Sequence, residues 1–279
     1  MNHLLRSLAP ISEATWQQLD EEARERLTPA LAARRLVDFA GPHGWEYSAT
    51  NRGRTSSLGS APIDGVTGSL RRVLPLVEVR ATFELARAEL RDADRGADDV
   101  DLEALDKAAQ RIAQAENAAV FHGWEGAIVG VAEASPYKQA KLRDDPDSYP
   151  GQLALAVEQL LSSGIAGPYG LALGSEQYRL VLETAEHGGY PLLDHLKKIT
   201  EGPVVWAPGV TGAVVLSLRG GDFVFDSGQD VSIGYDSHDG DVVRLYLEES
   251  FSFHVATPEA AVALSPSTKK RAGSGETRT

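Results

Sequence analysis

No cysteine occurs anywhere in the 279 residues. That absence excludes disulfides, thiolate metal sites, iron–sulfur clusters and a cysteine nucleophile together, and it points to a reducing cytoplasm as the location. Long apolar runs are missing too. No window approaches the roughly 20 apolar residues of a membrane-spanning helix, and Met1 to Pro10 carries neither a signal-peptide core nor a mitochondrial presequence, so no membrane partner is expected. Positive charge is scarce: 27 Lys and Arg stand against 40 Asp and Glu, a net charge of −13, and the molecule as a whole should repel nucleic acid. Catalytic signatures are equally absent. There is no HExxH, no GxSxG elbow, no phosphate loop and no GxGxxG after a strand, so no catalytic residue and no cofactor is assigned. Asp236-Ser237-His238-Asp239-Gly240-Asp241 has the acids of a calcium loop but places His and Gly at ligand positions, which makes it a hairpin turn. The seven histidines are scattered, with His187 and His195 the one pair near each other, and no metal site is expected.

What is present is ordinary in bulk and distinctive in order. Hydrophobic residues at 42% and charged residues at 24% suit a globular chain of two domains or one large one. From Ser12, the spacing of Trp16, Leu19, Ala23 and Leu27 predicts an acidic amphipathic helix, and Thr28-Pro29 predicts a new helix start running through Arg34, Arg35 and Leu36. Residues 48–74 carry Gly53, Gly59, Gly65 and Gly68 without helical period, too long for a plain loop, and read as an extended two-stranded arm. Asp101 fits an N-cap for an alanine-rich spine helix that ends at Gly123. Helices are predicted at 151–163, at 175–186 with Ser175 as cap, and from Pro191 to Ile199; strands at 171–174, 204–206, 213–218 and 223–225. Near the end, Val243, Leu245, Leu247, Phe251, Phe253 and Val255 share one parity, a long half-buried strand paired in a hairpin with 231–235. The tail from Ser265 is expected to be disordered.

Charge is unevenly placed along this plan. Residues 51–80 hold Arg52, Arg54, Arg71, Arg72 and Arg80 against Asp64 and Glu78, whereas 89–103 hold seven acids against Arg91 and Arg95. Two readings fit: arm and acidic run pair, in an oligomer between neighbours, or both are solvated faces.

Read in order, helical arm, Gly-rich extended loop, spine helix, inserted α+β domain and return hairpin resemble the family 1 encapsulin shell proteins, the linocin-like group. The residues that carry the resemblance are Asn2-His3-Leu4-Leu5-Arg6 with Ala9-Pro10-Ile11, Leu31-Ala32-Ala33-Arg34-Arg35-Leu36-Val37-Asp38 and Asn51-Arg52-Gly53-Arg54. To these are added Gly123, Gly126 and Ile128, then Gly167-Pro168-Tyr169, and finally Asp230, Ile233, Gly234 and Tyr235. The resemblance implies an α+β fold of the tailed-phage major capsid (HK97-like) type. Its parts would be an interior helical arm at 1–36, a peripheral domain from 37–47, 75–125 and 227–264, an extended loop at 48–74, an axial domain at 126–226 and a disordered tail at 265–279. It also implies a homo-oligomer on the order of sixty subunits with closed point-group symmetry.

Such a shell encloses a cargo enzyme, a dye-decolourising peroxidase or ferritin-like iron protein, through a C-terminal peptide of the cargo. Carried over, the peptide groove would use Arg34, Leu36, Asp38, Phe39, Asp230, Val231, Ile233 and Tyr235; for Leu36, Phe39 and Ile233 core packing is the competing reading. Glu186, His187, Gly188, Gly189 and Tyr190 would line a pore, and Arg52, Arg54, Arg71 and Arg72 would contact a neighbouring subunit. Flavin binding, known in some members through an aromatic residue, is not expected, since Val79 to Leu90 has Phe83 and no Trp. The alternatives are a bacteriocin or protease-like activity and a DNA-packaging capsid; the missing nucleophile constellation and the acidic arm count against them.

Overall fold

In the computed structural model, residues 3–143, 145–185 and 189–266 are described. Ser12 caps the first helix, α1 (Glu13–Ala30), accepting the Thr15 N–H at 3.2 Å, and Trp16, Leu19, Ala23 and Leu27 lie buried along its inner stripe. Thr28-Pro29 does not open a new helix, because α1 runs through both. Pro29 sits in the last turn, where the carbonyl it leaves without a helical donor belongs to the exposed Glu25, and a 3-10 turn, Ala33–Arg35, follows.

After β1 (Asp38–Ala40) the chain leaves the body as β2 (Ala49–Ser57) and returns as β3 (Ser69–Pro75), an antiparallel two-stranded arm whose residues are mostly exposed. Next come β4 (Val77–Ala86) and α2 (Arg87–Asp94), a helix in what the sequence showed only as an acidic run. The spine helix α3 (Glu103–His122) buries Leu105, Ala108, Ala109, Ile112 and Ala113; its assigned cap is Leu102, with the Asp101 carboxylate accepting the Glu103 N–H at 3.0 Å, and Gly123 ends it as predicted.

The second body follows: α4 (Val131–Ala134), β5 (Ala140–Leu142), α5 (Tyr149–Ser162), β6 (Tyr169–Leu173), α6 (Ser175–Glu183), α7 (Leu192–Thr200), β7 (Val204–Trp206) and β8 (Ala213–Ser217). Ser175 is the first residue of α6 rather than its cap, which is Gly174. Then β9 (Phe223–Ser227), β10 (Ser232–His238), β11 (Val242–Val255) and β12 (Ala261–Pro266) return. Ser265 and Pro266, expected in the tail, are hydrogen-bonded in β12 beside β5, and 267–279 lie outside the described residues. Strand β12 also joins the sheet of the second body, in the order β5-β12-β8-β6-β7, although 261–264 were expected with the peripheral one.

The first sheet is organised on β11. Strand β4 pairs along one edge from Val242 to Phe251, while β10 (opposite Val243 to Glu248) and β9 (opposite Phe251 to Val255) follow each other along the other edge. β11 is not half-buried as expected: from Leu245 to Phe253 every residue is buried, on both faces. The second face is covered by Arg80 of β4, whose Nε lies 3.0 Å from Glu248, and by His3 on the other Glu248 oxygen at 3.6 Å. The hairpin turn holds as read: Asp239 accepts the Asp241 and Val242 N–H groups at 2.9 and 3.1 Å, and these bonds with Arg244 pull its pKa down to about 2.

Where α3 meets α4, backbones touch. A Cβ on Gly130 would stand 2.1 Å from the Gly123 nitrogen and 2.5 Å from the His122 carbonyl carbon, so neither side can yield by turning a side chain. Gly130→Ala is expected to cost about 1–3 kcal/mol of folding stability, read from guanidinium unfolding; parent-like stability would show that this junction is loose.

Candidate functional site

Between β9 and β10 the edge of the sheet breaks. Ser250 of β11 holds the break, accepting the Gly228 N–H at 2.8 Å and donating its own N–H to the Gln229 carbonyl at 2.9 Å, so that Asp230 and Val231 bulge out of the ladder. The bulge forms one wall of a groove of about 500 Å³. The opposite wall is α1, through Asp20, Ala23, Arg24, Leu27 and Thr28. Ile233 and Leu247, partners across β10 and β11, form an apolar floor, and Ile233 is only 1% exposed.

The N-terminal segment straps one end. Leu4 accepts the Tyr235 N–H at 2.9 Å, covering the free edge of β10, and the Arg6 guanidinium spans to α1. It donates to both Asp20 oxygens at 2.7 and 2.6 Å and to the Ile233 carbonyl at 2.8 Å, and it lies over Trp16 at 4.6 Å.

Arg34 stands at the inner end, and every arm of its guanidinium is taken. Nε donates to Glu116 at 2.7 Å, one terminal nitrogen to Asp230 at 2.6 Å and the other to Glu249 at 2.8 Å. Phe39 and Phe225 cover it with ring centroids 5.2 and 5.5 Å away. Glu116 and Glu249 are 0% and 1% exposed. Burial by itself would lower the arginine's pKa, but the surrounding carboxylates overcome it and hold it raised. Arg34 is therefore not free to pair with an incoming carboxylate; it ties the 3-10 turn to α3, β11 and the bulge. Asn117 fixes the turn itself, accepting the Ala33 N–H at 3.0 Å and donating to the Ala30 and Pro208 carbonyls at 2.8 and 2.9 Å.

The eight residues assigned to the groove thus divide. Arg34, Asp230, Val231 and Ile233 line it. Leu36 and Asp38 line a separate cavity of about 190 Å³ beside Gly220 and Asp222; there Leu36 is core packing against Gly170, and Asp38 accepts the Gly221 N–H at 2.5 Å. Phe39 stacks on Phe225 at 5.5 Å, and Tyr235 is buried with its hydroxyl 2.5 Å from His238 Nδ1. Glu116, Asn117, Glu249, Arg6 and Asp20 were not anticipated.

On the arm, Arg52, Arg54, Arg71 and Arg72 make no ion pair among the described residues, and Leu58, Ile63, Val66, Leu70 and Val73 are exposed beside them. Burial first, and then the unneutralised charges of Arg72 and Arg54, lower the Arg52 pKa. Of the pore residues, Glu186, His187 and Gly188 lie outside the described residues; Gly189 has φ +80° and the exposed Tyr190 ring lies 4.7 Å from Lys198 Nζ. No helix among the described residues is long and apolar enough to cross a membrane, and no group of three or more metal-ligating side chains converges among them.

Comparison with known proteins matches residues 1–252 to a family described as encapsulating protein for peroxidase. A type 1 encapsulin shell protein of Rhodospirillum rubrum is 48% identical over 272 residues, covering 95% of this chain and 96% of that one. Among solved structures, a virus-like particle from Pyrococcus furiosus superposes with a TM-score of 0.62 at 20% identity over 89% of this chain and 98% of that one. Mycobacterium phage Ogopogo superposes with a TM-score of 0.53 at 16% identity over 85% and 91%.

Proposed function

This chain belongs to the type 1 encapsulin shell proteins and has the tailed-phage (HK97-like) capsid fold; from that premise we propose that it assembles, on the order of sixty copies together, into a closed icosahedral compartment. The cargo is an enzyme, a peroxidase or a ferritin-like iron protein, held by a C-terminal peptide in the groove between α1 and the β9–β10 break. The catalysis belongs to the cargo. The observation that carries assembly is the arm β2–β3, which carries exposed apolar side chains beside arginines that make no ion pair among the described residues. An isolated subunit gains nothing from such a hairpin, whereas a neighbour would bury it.

Docking is supported by the shape and chemistry of the groove. Its floor is apolar and its rim carries Asp20, Arg24 and Asp230, a combination that suits a peptide with an apolar side chain to seat and polar groups to fix its register. The exposed side of α1 presents Glu21, Glu22 and Glu25, a poor lining for packaged nucleic acid. Gly189 and Tyr190 are proposed as part of a pore on the family resemblance alone.

The acidic partner of the arm would be the 89–103 run of a neighbour. Asp94 is already engaged by Ser12 and Thr15, each at 2.5 Å, Asp92 pairs with Arg95 and Glu103 with Lys107, and Glu89 and Asp101 accept backbone N–H groups, which leaves Asp98 and Asp99 without a side-chain ion pair or hydrogen bond among the described residues. Arg71→Glu with Arg72→Glu should therefore weaken assembly, and do so more at low salt than at high salt. Light scattering across a salt series reads this; equal assembly by parent and variant would mean that the arm docks by its apolar residues alone.

A further inference from the structure

Glu116 of α3 and Glu249 of β11 are sealed from solvent and share one cation. Each gives Oε2 to Arg34, and each leaves Oε1 buried without a partner when both are ionised. With Asp230 that makes three negative charges against one guanidinium. Two orphaned acceptors at the same spot are costly to leave unmade, and one proton between them satisfies both.

We propose that Glu116 and Glu249 are positioning residues that retain one shared proton at neutral pH, and that this proton lets Arg34 hold Asp230 in place at the groove. The titratable and charged groups that meet there are the two glutamates, Arg34 from the 3-10 turn and Asp230 from the β9–β10 break; Phe39 and Phe225 cover the guanidinium. Burial first, then the Glu116 charge, pushes the Glu249 pKa well above the usual carboxylate range, and the Glu116 pKa is raised by burial with Arg34 opposing. The proton belongs to the pair rather than to either carboxyl alone.

The sign follows from linkage. A carboxyl whose folded pKa is raised keeps its proton where the unfolded chain has lost it, so its support for the fold is complete below the ordinary carboxylate pKa. That support declines as pH rises towards the raised value. Once the proton is lost, two buried carboxylates compete with Asp230 for Arg34, and the groove wall loosens. The consequence for cargo rests on the docking reading above; the shared proton does not.

The test uses assembled shells. Their infrared spectrum at neutral pH should contain the carbonyl band of a protonated carboxylic acid, and Glu249→Gln, whose amide supplies a donor to Glu116 in place of the shared proton, should lose it. A parent spectrum without the band overturns the proposal even if the variant fails to fold. Between neutral and mildly alkaline pH the Tm of the parent should fall more than that of Glu249→Gln; parallel curves overturn it too.

A fluorescent protein carrying the C-terminal peptide of the enzyme encoded beside the shell gene then reads the groove. Its retention by parent shells should fall with pH by up to about tenfold per unit, the limit for one proton, and by less in Glu249→Gln shells. Retention independent of pH in shells that do show the band would overturn the positioning role and leave docking intact. Normal loading after a charge is placed in the groove would instead overturn docking and leave the proton in place.

Discussion

Arg34→Ala is expected to destabilise the subunit by about 3–5 kcal/mol, the loss that follows when one partner of a buried ion cluster is removed. The guanidinium is the cation shared by Glu116, Glu249 and Asp230, and the two glutamates are cut off from water. Removing it leaves a buried charge with no compensation and cuts the tie between the 3-10 turn, the spine helix and the sheet. The loss should shrink in acid, where protonation neutralises the carboxyls. Arg34→Lys should fall between parent and alanine, because one ammonium lacks the planar fork that reaches three carboxylates. Guanidinium unfolding of matched proteins measures this. A loss below about 1 kcal/mol, the scale of a surface pair, would mean that the cluster does not hold the turn in place.

Val231→Asp should abolish cargo loading while leaving the shell intact. Val231 is half-buried in the bulged wall of the groove, next to Asp230. A carboxylate there must be desolvated under an apolar peptide side chain, a cost of several kcal/mol and hence about a hundredfold or more in affinity. The neighbouring Ile233 is a poorer probe, since at 1% exposure on the floor its replacement would disturb the sheet as well as the groove. The measure is the ratio of co-purified cargo to shell protein after coexpression. Parent-like loading by assembled Val231→Asp shells would place the docking site elsewhere.

The elements with a local cause were readable from the chain. The stripe of α1, the glycine that ends α3 and the aperiodic arm each follow from spacing or from one residue type. The Arg34 cluster leaves a local trace in the sequence. Glu249 interrupts the apolar parity of β11 at the position where a seventh inward hydrophobe belongs, and Glu116 and Asn117 interrupt the apolar stripe of α3 after Ile112 and Ala113. An acid on an inward position demands a cation, and that is the signal that could have led to Arg34.

Other features have no local cause. The strap of Leu4 and Arg6 on β10 joins residues more than two hundred positions apart, and Leu36 and Asp38 are turned from the groove because β1 pairs with β9. The continuation of α1 through Pro29 is decided by packing of Leu27 and Ala30 against the core, which overrides the local break.

Assembly is the central claim, and the mass of the purified particle tests it most directly. At neutral pH and physiological salt, native mass measurement with negative-stain microscopy should find a hollow, round particle in the megadalton range, closed by symmetry with each arm on a neighbour. A monodisperse monomer or dimer under those conditions would contradict the account.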